Sequence, residues 1–329
     1  MVDRIRMFNT DFKGSLNLED LKSFRPSEAE RGFKYYKLKS LKNKMENIYL
    51  TVKVGVKDGK NFVAIDGSLR KWMFGMNGFR DLDYFRFEKA IELIGKRLCF
   101  DKAALWGFKI SILELGFNVQ LSMLMKGIVD CYGSYSTFRR VWYEGETMCF
   151  EGNSYSMIVY DKGEEVVKKR SMKKSMKSPE PIKKLINRAT WLRYEFKTDK
   201  LSKVPSVSKL ANTPGKILIN WDELLDLVHG KIKAMKFINY SLPTYTNEFE
   251  GRTKTELKNY LINVGMLSVG VGKTMSMVDK LERKKKEVKD ELQEMNRTFV
   301  DKPRLDLERD LRRSISQRVR KLKGNDKVL

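Results

Sequence analysis

The strand-like segments of this chain constrain its fold most. Side chains on a strand alternate between two faces, and here one face of each segment is wholly apolar. In SILELGFNV, within residues 109–121, Leu113, Leu115, Phe117 and Val119 share a face that must pack on a core. The opposite face carries Ile112, Glu114, Gly116 and Asn118. A carboxylate thus stands in mid-strand beside a glycine, which leaves room for something to approach the sheet. WLRYEFK, within 191–200, repeats the design, with Leu192, Tyr194 and Phe196 on one face and Trp191, Arg193, Glu195 and Lys197 on the other. In SMIVYDKGEE, Tyr160 and Lys162 share a face with Ile158, and Asp161 points the opposite way unless a bulge or Gly163 turns the chain.

Around these segments the pattern predicts further elements. Residues 47–72 read as a β-hairpin turning at DGKN. Phe87, Ile91, Ile94 and Leu98 follow helical spacing over 86–98. Three strand-like runs fill 139–162. KKRSMKKSMKSPEP, residues 168–181, holds six Lys or Arg and two Pro and reads as a solvated basic loop. Beyond about residue 205 the pattern turns helical, and Val278, Leu281, Val288, Leu292, Met295 and Phe299 fall on a rough seven-residue seam. The expectation is an α+β fold, an antiparallel sheet with packed helices over 1–205, followed by a basic, mainly helical region over 206–329.

Composition narrows the function. Lys+Arg is 66 and Asp+Glu is 42, so 66 − 42 gives +24, a balance that calls for an acidic partner, nucleic acid first. No run of apolar residues is long enough for a membrane span, and no membrane partner is expected. The N-terminus has neither an apolar run nor a small-residue cleavage site, and the three cysteines fit no metal spacing or disulfide framework, so a reducing, intracellular setting is expected. A single histidine, His229, excludes paired-His metal sites. It is expected in the last turn of a helix capped by Asn220 and stopped by Gly230. GMLSVGVGKT, 265–274, resembles a phosphate-binding loop but has Leu267 where glycine is required, so ATP hydrolysis is not expected.

A lone Glu on a strand usually lies on a solvated face, and a strand Tyr usually packs. Together the residues admit more. Two carboxylates can hold a hard divalent cation, a tyrosine can act as a covalent nucleophile, and a neighbouring lysine can stabilise developing charge. Spacing alone does not show that the strands adjoin. GSLRKW, ISILELGFNV, YSMIVYDKGEEV and WLRYEFKTDKLSK, in that order over roughly 60–205, resemble the phage and plasmid rolling-circle replication initiators of the filamentous-phage gene II family. The resemblance implies an initiator-like core and an enzyme that nicks one strand at an origin. Its tyrosine becomes joined to the 5′ phosphate, and the strand is later rejoined. It implies Tyr160 as nucleophile, Lys162 as its basic neighbour, and Glu114 and Glu195 as ligands of Mg²⁺ or Mn²⁺, with Asp161 a weaker third candidate. This chain lacks the His-hydrophobic-His metal pair of many such enzymes. The expected partners are single-stranded or melted origin DNA and the host replication machinery, in the cytoplasm of a bacterial host, with a homodimer also considered. DNA contacts are expected from Lys168, Lys169, Arg170, Lys173, Lys174, Arg193 and Lys197. The competing readings are a non-catalytic DNA- or RNA-binding protein and a metal-dependent nuclease that uses water.

Overall fold

The computed structural model describes residues 1–19, 21–40, 48–75, 79–121, 128–143, 147–171, 189–237, 262, 277–278, 285–298 and 307–323. The fold is α+β. Its strands are β1 (Val2–Asn9), β2 (Lys22–Phe24), β3 (Phe33–Lys39), β4 (Tyr49–Lys57), β5 (Lys60–Ser68), β6 (Lys109–Gln120), β7 (Tyr132–Tyr135), β8 (Arg139–Tyr143), β9 (Thr147–Glu151), β10 (Tyr155–Asp161), β11 (Trp191–Thr198) and β12 (Met235–Phe237). Ten of them form one antiparallel sheet in the order β2-β3-β4-β5-β1-β6-β11-β10-β9-β8, and β12 pairs with β7. The N-terminal strand β1 therefore joins two half-sheets, β2–β5 on one side and β6 with β8–β11 on the other. The hairpin expected over 47–72 is β4–β5. Its turn is Asp58-Gly59, both at positive φ (50° and 74°), which suits the right-handed twist of the flanking strands.

The helices are α1 (Leu69–Phe74), α2 (Tyr84–Leu98), α3 (Lys102–Trp106), α4 (Lys162–Ser171), α5 (Pro205–Ala211), α6 (Pro214–Ile219), α7 (Trp221–Lys233), α8 (Lys285–Thr298) and α9 (Leu307–Leu322). The apolar stripe of α2 (Phe87, Ile91, Ile94, Leu98) packs in one core with Ile5 and Met7 of β1, Leu113 to Val119 of β6, and Leu192, Tyr194 and Phe196 of β11. Leu224 and Val228 of α7 and Leu311, Ile315, Val319 and Leu322 of α9 belong to the same core, so elements on both sides of residue 205 share it. Burying such side chains contributes about 1.5–3 kcal/mol each, which fixes which face of the sheet is covered.

Several expectations change. Lys162 does not continue strand β10; it opens α4, whose first turn holds Glu164 and Glu165 where acidic residues suit the helix dipole. Residues 168–171 are helical rather than loop, and 172–188 lie outside the described residues. Helix α7 runs through Gly230 to Lys233, and Asn220 makes no side-chain cap. The amide of Asn220 donates instead to Leu210 O and Lys216 O, at 3.1 and 3.0 Å. His229 lies against α9, with Nε2 3.3 Å from Ser316 Oγ, and burial lowers its pKa. Of the seven-residue seam, Val278 and Leu292 share a small cluster with Cys131, whereas Leu281 and Phe299 lie outside the described residues, as does 265–274. No helix among the described residues is long and apolar enough to cross a membrane.

Candidate active site

The antiparallel register brings the singled-out residues together. β11 pairs with β10 so that Arg193 faces Tyr160 and Glu195 faces Ile158. It pairs with β6 so that Lys197 faces Glu114, Glu195 faces Gly116, and Arg193 faces Asn118. Glu114 and Glu195 are thus diagonal neighbours on adjacent strands and on one face, an arrangement that separates Cα atoms by about 7–8 Å. Both line a cleft of about 390 Å³, together with Tyr160, Asp3, Arg70 and Glu165.

The Tyr160 hydroxyl donates to Glu195 Oε1 at 2.9 Å. Arg193 Nε donates to the same oxygen at 2.7 Å. Both of these bonds fall on Oε1, and no hydrogen bond among the described residues reaches Glu195 Oε2. Lys162 Nζ lies 3.5 Å from the Tyr160 hydroxyl and is ion-paired with Glu165. The lysine reaches Tyr160 from the first helical position after the strand, not from the strand face. Burial, then the Glu195 carboxylate, pushes the Tyr160 hydroxyl well above the usual phenol range. Burial also lowers Lys162 to about 8, against the opposing pull of Glu165.

Arg193 is fully buried, at 0% exposure. It therefore presents no guanidinium to a DNA surface, and its expected role there is corrected. Its Nη2 pairs with Asp3, and its Nη1 donates to Asp81 Oδ1 and Asn118 Oδ1, each at 3.2 Å. Asp3 also accepts from Ser68 Oγ at 2.6 Å and Arg70 Nε at 3.1 Å. Asp81 accepts from Asn118 N at 3.0 Å and from Arg318 of α9 at 2.5 Å. Burial raises both carboxyls, but Arg193 with Arg70 at Asp3, and Arg193 with the N-terminal amine and Arg318 at Asp81, outweigh it and hold them below the usual range. Gly116 is required beneath this network, because a Cβ there would lie 2.6 Å from Tyr194 O and 3.1 Å from both Arg193 Nη2 and Glu195 Cγ. The space it leaves is taken up by those two side chains.

Asp3, Asp81 and Asn118 were not singled out from sequence as site residues. A register shift between Val2 and Arg4 sets Asp3 into the cleft, and nothing local in VDRIRMFN announces that bulge. Asp161 is buried and accepts from Glu164 N at 3.1 Å, capping α4, so it is not a candidate metal ligand. Lys197 is partly exposed beside Glu114, at 3.8 Å. Lys168, Lys169 and Arg170 belong to α4, without described side chains, and Lys173 and Lys174 lie outside the described residues.

The donor set fits a divalent cation in one specific way. Among the described residues no group of three or more His, Cys, Asp or Glu side chains is arranged to hold a metal. Two carboxylates remain, and Mg²⁺ is commonly held by one or two carboxylates with waters and substrate phosphates completing the shell. Glu114 has its nearest cations, Lys197 and Arg4, only at 3.8 and 3.9 Å. Burial, then Glu195 and Asp3, raises its carboxyl, so the position favours added positive charge. Glu114 and the second oxygen of Glu195 are the groups that would hold it. No family model, curated protein or solved structure matches this chain.

Proposed function

We propose that the protein is a rolling-circle replication initiator that nicks one DNA strand through Tyr160 and later rejoins it. One observation carries the reading: the Tyr160 hydroxyl is hydrogen-bonded to a carboxylate and flanked by an ammonium inside an open cleft that holds a second carboxylate. A packing tyrosine on a sheet has no need of that set. In the step, Glu195 Oε1 takes the phenolic proton as Tyr160 Oη bonds to phosphorus. The P–O3′ bond breaks, and the departing 3′ oxygen takes a proton from solvent. Because the phenol is held protonated at neutral pH, proton transfer accompanies attack and does not precede it. Lys162 stabilises charge on the phosphoryl oxygens. A divalent cation bound at Glu114 and Glu195 would polarise a phosphate oxygen. The ester conserves the bond energy, so the reverse attack by a 3′ hydroxyl rejoins the strand.

The test is incubation with supercoiled DNA carrying the cognate origin and Mg²⁺. Nicked circles and a protein–DNA adduct stable to denaturant are expected, and nicked DNA without adduct would leave only a water-using nuclease. In the same assay Glu114→Gln should keep the fold and reduce metal-dependent nicking about 10²-fold or more, with the remaining activity needing higher Mg²⁺.

The pH profile tests Lys162. Its pKa of about 8 makes it cationic below that pH and neutral above. Adduct formation should therefore fall as pH rises through about 8, although a free lysine would hold its charge to about 10.4. Lys162→Met should be slow throughout and lack this alkaline limb. A limb that persists in the variant would assign it to another group.

A further inference from the structure

We infer that the open face of the β2–β5 half-sheet is a stacking platform for single-stranded DNA, feeding the strand toward Tyr160. This rests on the nicking reading for its direction, though not for its existence. The basic run near 168–174 and Lys197 are the DNA contacts expected from sequence that the burial of Arg193 does not touch. The structure places a second basic and aromatic surface elsewhere.

The register fixes which side chains share this face. Phe33 faces Gly55, which faces Phe62, and Tyr35 faces Lys53, which faces Ala64, opposite Phe8 of β1. Phe24 on the short edge strand β2 lies opposite Tyr35. The other face of the same strands carries Leu38, Leu50, Val52, Ile65 and Met7, all buried in the core. On the opposite face Tyr35 and Phe62 are buried, whereas Phe8, Phe24, Phe33 and Tyr49 are half-buried, so these four are the rings a base can reach. Phe33 and Phe62 pack at 5.4 Å, Phe8 and Phe62 at 6.2 Å, and Phe24 and Tyr49 at 5.6 Å.

Lysines lie over these rings. Lys53 Nζ is 4.0 Å from the Phe33 centroid. Lys37 Nζ is 4.7 Å from Phe24 and 4.6 Å from Tyr49. Lys53 is also ion-paired with Glu30 and little exposed, but Lys37 is only half-buried, and a cation–π contact that water reaches is weaker than a base stacked on a ring. A base can therefore displace the ammonium, which swings to the neighbouring phosphate. That pairing of ring and cation is what a single strand offers its complement to: a π-face and a negative charge on each nucleotide. Duplex bases are already stacked and offer no free face, so the surface selects unpaired DNA.

The face is continuous with the cleft. Lys37, Thr51, Asp66 and Arg6 line up across β3, β4, β5 and β1, and the next residue along β1 on this face, Arg4, faces Glu114. From β3 to β6 is four strand spacings, about 19 Å. At the far edge the surface ends in a concavity of about 820 Å³ walled by Phe24, Arg25, Arg31 and Phe33. Cations on the face outnumber its acids, Glu30, which pairs with Lys53, and Asp66, which is held by Arg4 and Arg6.

The experiment is fluorescence anisotropy with a labelled oligodeoxythymidylate, alongside a hairpin duplex, using the full chain. Phe24→Ala and Phe33→Ala should each weaken single-strand binding about 5- to 100-fold, with little change for the duplex. Phe24→Leu and Phe33→Leu keep the apolar packing, remove the ring face, and should weaken it in the same direction, which covers the case of an alanine variant that fails to fold. Lys37→Gln should lower the slope of log affinity against log salt by about one. Folded leucine variants that bind the oligonucleotide as the wild type does would overturn the platform. If the platform variants lose binding while the wild type forms no adduct on origin DNA, the nicking reading fails and the platform stands. If the adduct forms and the leucine variants bind normally, the platform fails and the nicking reading stands.

Discussion

Tyr160→Phe should abolish the covalent protein–DNA adduct and lower nicking by about 10³-fold or more, the scale of losing a nucleophile. Binding and fold should survive. The change removes one hydroxyl from a half-buried ring and one hydrogen bond to Glu195, worth about 1 kcal/mol net. Glu195 keeps its bond from Arg193. The other tyrosines on neighbouring strands are poor substitutes, for different reasons. Tyr155 lies on the opposite face of β10, where its hydroxyl meets Tyr135 at 2.9 Å and Lys231 at 3.0 Å against the core. Tyr143 is exposed on the edge strand β8 and donates to Glu151 at 2.8 Å, and it is not among the residues that line the cleft with Glu114 and Glu195. Tyr155→Phe should leave the adduct in place. Denaturing electrophoresis of labelled origin DNA after reaction reads both outcomes. An adduct that persists in Tyr160→Phe would move the nucleophile elsewhere.

What the sequence made legible follows from where the information is local. Alternation in SILELGFNV and WLRYEFK placed Glu114 and Glu195 on one side of their own strands, because period-two patterning is a property of each segment alone. That the two strands are neighbours, in a register setting Glu195 against Gly116, is a long-range fact carried by no short motif. β1 went unread for the same reason: its strand character in VDRIRMFN depends on pairing with β5 and β6, far along the chain. Gly230 read as a helix stop because glycine favours that position. Packing of Ile232 into the core carries α7 past it, an override of weak local preference by burial. Arg193 read as a surface cation because arginines mostly are. Its burial depends on Asp3 and Asp81, which stand 190 and 112 residues away.

Arg193→Met should cost about 3–5 kcal/mol of stability, out of about 5–15 for a domain. The loss comes less from the missing attraction than from what remains. Asp3 and Asp81, at 5% and 4% exposure, would keep buried charges after losing the largest positive influence on each, with Arg70 and Arg318 as the ion-pair partners that remain in place. Arg193→Lys should recover part of the loss, since an ammonium restores charge but cannot fork toward Asp3, Asp81 and Glu195 together. The acid side supplies the control. In the wild type both carboxyls are held below their ordinary value, so their contribution is fully present above about pH 4, the unfolded-state range, and is lost as pH falls through the folded values. Without Arg193, burial would instead raise them, and protonation would relieve the variant at a pH where the wild type gains nothing. The stability gap between the two, measured by urea unfolding, should therefore be widest near neutrality and narrow as pH falls toward 4. A gap independent of pH would mean that lost packing, rather than uncompensated charge, explains the cost. Because Arg193 Nε also holds Glu195, a folded Arg193→Lys should lose adduct formation in kcat more than in DNA affinity, which marks the arginine as a positioning residue for the carboxylate that receives the Tyr160 proton.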